Sequence, residues 1–236
     1  MIELTAADGH AFSSYRSDPA DAPKGGVIVL QAAYGVNGHI RSVADAFAAQ
    51  GYLAIAPALF DRVEKGVELA YGEAGLAAGL EMVKQTGENG ALADIQAAVD
   101  AAGSAGKVAV VGYGWGGYLS FLSANQVNGL ACAISYFGEE IVDELREKRR
   151  IPTLLHFGES ERVSQFRTRR PDVSVYSYAA HDEPAAQLAL DRTLFMISQY
   201  VEGQPAIAMK NSGAYLAQKP EKKKKTAAAV NDGPPE

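Results

Sequence analysis

The sequence predicts an α/β fold, a mostly parallel sheet with helices on both faces. Three observations carry that reading. Short β-branched apolar runs recur along the chain, continuous rather than alternating, as strands buried on both faces require. Between them lie segments whose apolar residues return every three or four positions, the period of a helix with one buried face. Between Val108 and Leu119 an apolar strand runs through a glycine-framed turn directly into a helix start. Repeated β-α-β units of this kind imply parallel strands joined by crossover helices.

Taken in order, residues 2–17 suit an N-terminal antiparallel hairpin, and Gly26–Gln31 (Gly-Val-Ile-Val-Leu-Gln) is the first core strand. His39–Gln50 carries Ile40, Val43, Ala44 and Phe47 at helical spacing, and Gly51 supplies a stop signal. Tyr52–Ala56 is a second strand, ended by Pro57. Leu76–Gln85 and Ala91–Ala102 follow as helices, the second with Ala91, Ile95, Ala98 and Val99 on one face. Lys107–Gly112 is a strand, Gly116–Gln126 a helix, Leu130–Tyr136 a strand and Glu139–Lys148 a helix. Thr153–Phe157 and Val173–Ser177 are strands, and Pro184–Tyr200 is the closing helix. There is no internal repeat.

The turn between the strand at Lys107–Gly112 and the next helix is the most informative stretch. Gly112-Tyr113-Gly114-Trp115-Gly116 has the frame of a nucleophile elbow, G-x-Nuc-x-G, in which a sharp strand-to-helix turn lifts a Ser or Cys above the sheet. The central residue here is Gly114. Glycine has no side chain with which to attack a carbonyl. Nearby substitutes are poor: Cys132 sits mid-strand as a core thiol, Ser120 and Ser123 lie within the helix, and Tyr113 points away from the turn.

Composition bounds the rest. The 236 residues are 47% hydrophobic and 21% charged, an ordinary balance for a globular chain with a single core. No apolar run approaches the ~20 residues that span a bilayer. The start, Met1-Ile2-Glu3-Leu4-Thr5, lacks the basic and apolar segments of a secretion signal, so a cytoplasmic location is expected. Cys132 is the only cysteine, which excludes an internal disulfide, and the four histidines have no metal-ligand spacing. No metal or cofactor is expected.

Charge is divided unevenly. Residues 210–236 hold six lysines, including Lys222 to Lys225, against three acids, a balance of +3 within a whole-chain charge of −6. Residues 1–209 therefore carry −9 and form the folded domain, a poor generic surface for nucleic acid or an anionic membrane. The Lys-, Ala- and Pro-rich tail has almost no apolar pattern and is expected to be disordered unless bound. Its lysine run is either a solvated solubilising segment or a contact for an acidic partner protein.

Several stretches, quoted in order, make the reading more specific. They are Gln31-Ala32-Ala33-Tyr34-Gly35-Val36-Asn37, Gly51 to Pro57, Val111 to Gly117, Ile134 to Gly138, His156-Phe157-Gly158-Glu159 and Tyr178-Ala179-Ala180-His181. Together they resemble the dienelactone hydrolase (carboxymethylenebutenolidase) family of the α/β-hydrolase superfamily, over about residues 1–202. The resemblance implies hydrolysis of carboxylic esters or lactones by a Cys-His-Asp triad, with a Glu that controls the cysteine proton. Carried onto this chain, the nucleophile position is Gly114 and the Glu position is Ala32. The acid position is Glu161, one methylene longer than Asp, and the histidine is His181, followed by Asp182-Glu183-Pro184 in place of the usual flank.

The fold also implies an oxyanion site made of backbone N–H groups, at Trp115 and Ala33 in this chain. Those donors do not depend on side-chain identity. Tyr34 and Trp115 are expected to pack in the core, to wall a ligand pocket, or both. His39 is a candidate for the rim of that pocket, His156 for a hydrogen-bonded core histidine, and His10 belongs with the hairpin.

Three function classes follow. One is a pseudoenzyme that binds a small acyl or carboxylate ligand, or a partner protein. Another is a weak hydrolase in which His181 and Glu161 activate water. The third is an assembly subunit using the fold surface and the basic tail. An open cleft lined by Trp115, Tyr34 and His181 favours binding, and a filled one favours assembly.

Overall fold

The computed structural model of this chain describes residues 1–143, 149–179 and 182–203. It begins with an antiparallel hairpin, β1 (Ile2–Thr5) and β2 (Ala11–Ser17), as expected for residues 2–17. The chain then alternates through β3 (Gly26–Leu30), α1 (Gly38–Ala49), β4 (Leu53–Pro57), α2 (Glu73–Thr86) and α3 (Glu88–Ala102). It continues through β5 (Val108–Tyr113), α4 (Trp115–Gln126), β6 (Leu130–Tyr136) and β7 (Thr153–Gly158). It closes with α5 (Glu161–Arg169), β8 (Ser174–Tyr178) and α6 (Glu183–Tyr200). The strands form one sheet in the order β1-β2-β4-β3-β5-β6-β7-β8, parallel from β4 to β8.

Two apolar layers hold helices to this sheet. On one face Val27, Val29, Val111 and Ile134 pack with Ile40 and Phe47 of α1 and Ile197 of α6. On the other, Ile28, Leu30, Val110 and Phe157 pack with Ile95 of α3, Leu119 of α4 and Phe166 of α5. The central strands bury both sides, so their side chains alternate between layers while the sequence stays apolar throughout. Caps fix the helix starts: Asn37 Oδ1 accepts from the Ile40 N–H, and Asp182 Oδ1 accepts from the Ala185 N–H at 3.0 Å.

Two elements differ from the sequence expectation. The helix expected over Glu139–Lys148 is a 3-10 turn at Glu139–Asp143, while residues 144–148 lie outside the described residues. The Ile141 N–H donates to the Gly138 carbonyl at 3.1 Å, the i to i−3 bond of a 3-10 turn, and Ile141 and Val142 are both buried. Helix α5 was not foreseen. Only Val163 and Phe166 are apolar in its buried face, too sparse for a periodic signal, although Ser160 caps it through its side chain to the Val163 N–H. The Lys-rich segment 210–236 also lies outside the described residues.

The strand order sets where a ligand can approach. From β3 the chain crosses to β4 on one side, and from β5 it crosses to β6 on the other. Helix α1 packs on one face of the sheet and α4 on the opposite face. The two connections diverge, so a crevice opens at the carboxyl ends of β3 and β5, the usual ligand position in such sheets.

Candidate active site at the β5–α4 turn

Gly114 stands at that crevice. Its backbone has φ +55° and ψ −118°, between the last residue of β5 and the first of α4. The positive φ is the strained turn of an elbow, and glycine adopts it without the Cβ clash that other residues meet. The Gly114 N–H donates to the Tyr136 carbonyl at 2.8 Å, which pins the turn to the end of β6. Its own carbonyl accepts from the Tyr118 N–H at 3.1 Å, the first turn of α4.

Close backbone packing produces the turn. A Cβ at Gly116 would lie 2.5 Å from the Gln31 carbonyl oxygen and 2.6 Å from that of Leu30. The start of α4 therefore rests directly on the end of β3. By contrast, a Cβ at Gly114 would meet only Ala32, at 3.5 Å from its Cβ, an ordinary contact. A side chain at position 114 would start in contact with position 32.

The sequence-derived site residues divide into three groups. Ala32 is brought against Gly114, as just described. Neither the Ala33 N–H nor the Trp115 N–H finds an acceptor among the described residues, and the positive end of α4 lies beside them. Of the two roles expected of the Trp115 side chain, the structure shows core packing. The indole is 8% exposed and stacked on Phe60 with ring centroids 5.6 Å apart, so it belongs to the core and only its amide faces the turn. Tyr34 is half-buried and leans on Tyr71 at 4.7 Å, with the loop fastened by Leu69 N–H donating to the Tyr34 carbonyl.

Glu161 opens α5 as its first residue, on an exposed surface, and its Oε1 accepts from Gln165 Nε2 at 3.1 Å within the same helix. The loop before it is tied to β8 through the Glu159 N–H and the Tyr178 carbonyl at 3.0 Å. His181 lies outside the described residues, between Ala179 and the α6 cap Asp182.

The alternative nucleophiles are engaged or buried. Ser120 Oγ donates to the Ile134 carbonyl and Ser123 Oγ to the Leu119 carbonyl, both at 2.7 Å. Cys132 is buried, and desolvation pushes its thiol up to about 12. His156 is the core histidine the sequence suggested: its ring nitrogens meet Tyr178 Oη at 2.8 Å and Thr193 Oγ1 at 3.2 Å. Burial, with the Arg192 charge adding to it, holds its imidazole down at about 3. Among the described residues no group of His, Cys, Asp and Glu side chains could hold a metal ion, and no helix is long and apolar enough to cross a membrane.

A feature that sequence reasoning missed lies on the other face of the sheet. A cleft of about 590 Å³ opens between α1 and α6, with Tyr113 and Tyr136 on its wall. Strand alternation was the available signal, because Tyr113 shares the α1 side of β5 with Ala109 and Val111.

The chain is similar to several known proteins. A Synechocystis protein described as a carboxymethylenebutenolidase is 36% identical over 120 residues, 49% of this chain and 48% of that protein. A carboxymethylenebutenolidase of Pseudomonas putida is 30% identical over 164 residues, 66% of this chain and 69% of that protein. The chain thus spans about half the length of the first relative and about two thirds of the second. Among solved structures, a Klebsiella pneumoniae protein described as a dienelactone hydrolase superposes with a TM-score of 0.70 at 24% identity. That superposition covers 84% of this chain and 98% of the other, and it speaks for the fold. The dienelactone hydrolase family model matches residues 12–182, a stretch that runs through β2, the β3 loop, the β5–α4 turn and the α6 cap, and on that match the chain belongs to the dienelactone hydrolase family.

Proposed function

We propose that this protein is a dienelactone hydrolase scaffold used for binding, a pseudoenzyme that holds a small acyl or carboxylate ligand at the β5–α4 turn. The observation that carries the reading is Gly114 at the apex of that turn. Acyl-enzyme chemistry needs a thiolate or alkoxide beside a base, with a third group to orient that base. Position 114 offers no such atom. Ser120, Ser123 and Cys132 are committed to backbone bonds or to the core and do not replace it.

What remains at the turn favours an anion or a carbonyl oxygen. Among the described residues the amides of Ala33 and Trp115 have no acceptor, Trp115 opens a twelve-residue helix, and only the small Ala32 side chain stands against position 114. A carboxylate oxygen there is stabilised by charge-assisted hydrogen bonds and by the helix dipole. In the family pattern His181 and Glu161 hold the histidine and acid positions.

The test is binding of para-fluorobenzoate, followed by fluorine NMR. Saturable binding to the unaltered protein that is lost in Ala32→Leu, which fills the crevice before Gly114, supports the reading. Binding that survives Ala32→Leu unchanged places the carboxylate elsewhere and contradicts it. Family membership favours one second reading, a weak ester or lactone hydrolase in which His181, oriented by Glu161, activates water directly. A third role, contact with a partner protein through the Lys-rich tail, rests on the charge of residues 210–236.

A further inference from the structure

The cleft between α1 and α6 carries an inference separate from the turn at Gly114. It is built by omission. Helices α1 and α6 cover the same face of the sheet, but at their junction they offer Ala46, Ala185, Ala186 and Ala189, whose short side chains leave about 590 Å³ unfilled. That volume lies within the range of small-molecule sites, roughly 300–1,000 Å³. The floor is aromatic. Tyr113 and Tyr136 stack with centroids 4.9 Å apart, and Phe137 beside them holds a left-handed φ of 55°, unusual for a bulky residue.

The hydroxyl groups on this wall are not equivalent. Tyr136 Oη is bonded to Thr193 Oγ1 at 2.7 Å. Tyr178 Oη meets His156 Nδ1 at 2.8 Å and accepts from Arg192 at 3.0 Å. Tyr113 Oη has no hydrogen-bond partner among the described residues, although its ring lines the cleft. Burial keeps that phenol protonated, so it acts as a neutral donor. The charge around the cleft points the same way. Among the described residues its lining includes the carboxylate of Asp182 and no Lys or Arg, so an anionic ligand would meet repulsion there.

We propose that the α1–α6 cleft is a second ligand site, which takes a neutral molecule with an apolar body and one carbonyl acceptor directed at Tyr113 Oη. Tyr113 immediately precedes Gly114, so the two sites share one backbone turn but open on opposite faces of the sheet. A carboxylate is the preferred occupant of one and a ketone, ester or amide that of the other.

The experiment uses the Ala32→Leu protein, whose crevice before Gly114 is filled, and titrates it with para-fluoroacetophenone or para-fluorobenzoate by fluorine NMR. The ketone is expected to bind saturably, and the carboxylate at least about tenfold more weakly, given the cost of burying an unpaired charge. Tyr113→Phe, which removes only the hydroxyl, should weaken the ketone by about threefold to tenfold, the worth of one neutral hydrogen bond. Leu190→Trp, at the exposed rim of the cleft, should abolish binding without touching the core. Ketone binding that disappears in the Ala32→Leu background, persists in Leu190→Trp, or is matched by the carboxylate overturns the proposal. None of these outcomes bears on whether the unaltered protein binds a carboxylate at Gly114.

Discussion

Position 114 and its neighbours separate conformation from chemistry. Space for a side chain exists at Gly114, but its φ of +55° costs an L-residue roughly 1–2 kcal/mol. Gly114→Ala should lower unfolding free energy by about that amount in urea titrations, with the native fold kept. Gly116→Ala should cost more, about 2–3 kcal/mol or above, because its Cβ would stand 2.6 Å from the Leu30 carbonyl oxygen at the end of β3 and 2.5 Å from that of Gln31 just after it. Equal effects of the two variants would mean that the turn is softer than its packing implies. Chemistry follows a different order. Gly114→Cys alone should give little esterase activity, since Ala32 and Glu161 also depart from the family pattern. Adding Ala32→Glu and Glu161→Asp should raise turnover of an activated ester clearly above the single variant. A folded but inert triple variant would show that the crevice itself has been remodelled.

At the scale of elements, β7, β8 and α6 are joined through one buried imidazole. His156 on β7 bonds Tyr178 on β8 and Thr193 on α6, and burial with Arg192 depresses its pKa to about 3. The unfolded chain, with an ordinary histidine pKa of ~6.5, therefore binds a proton that the folded chain refuses. This contribution to stability is fully present above about pH 6.5 and falls as the pH drops toward 3, by on the order of a few kcal/mol. Denaturant midpoints measured across that window should decline with acid, and His156→Gln should flatten the slope. An unchanged slope would remove His156 as the source. The same elements show what a sequence can convey. The runs at β3, β5 and β6 were legible because strands buried on both faces leave unbroken apolar stretches. Helix α5 was not legible, because two buried residues make no period, and Trp115 was ambiguous because a helix-start aromatic can face either layer. For the α1–α6 cleft, strand alternation places Tyr113 on the α1 side of β5, but the volume itself arises where small residues from two distant helices meet.

For the whole molecule, a sheet order that reverses direction beside β3 places Ala32, Ala33, Gly114 and the start of α4 at one crevice. The topology therefore delivers the position of a ligand crevice independently of the residues that occupy it. The composition adds an expectation for the tail: removing residues 210–236 should leave the thermal midpoint within about 2 °C, because that Lys-, Ala- and Pro-rich sequence has few large apolar side chains. A large drop would assign the segment a structural role. The central claim is that the crevice binds without forming an acyl-enzyme. It is tested most directly by the steady-state hydrolysis of para-nitrophenyl acetate by the purified protein, beside His181→Ala at equal concentration. The account predicts rates for both that do not rise above each other or above a folded protein control. Saturable hydrolysis by the unaltered protein that His181→Ala abolishes would contradict it and establish direct activation of water.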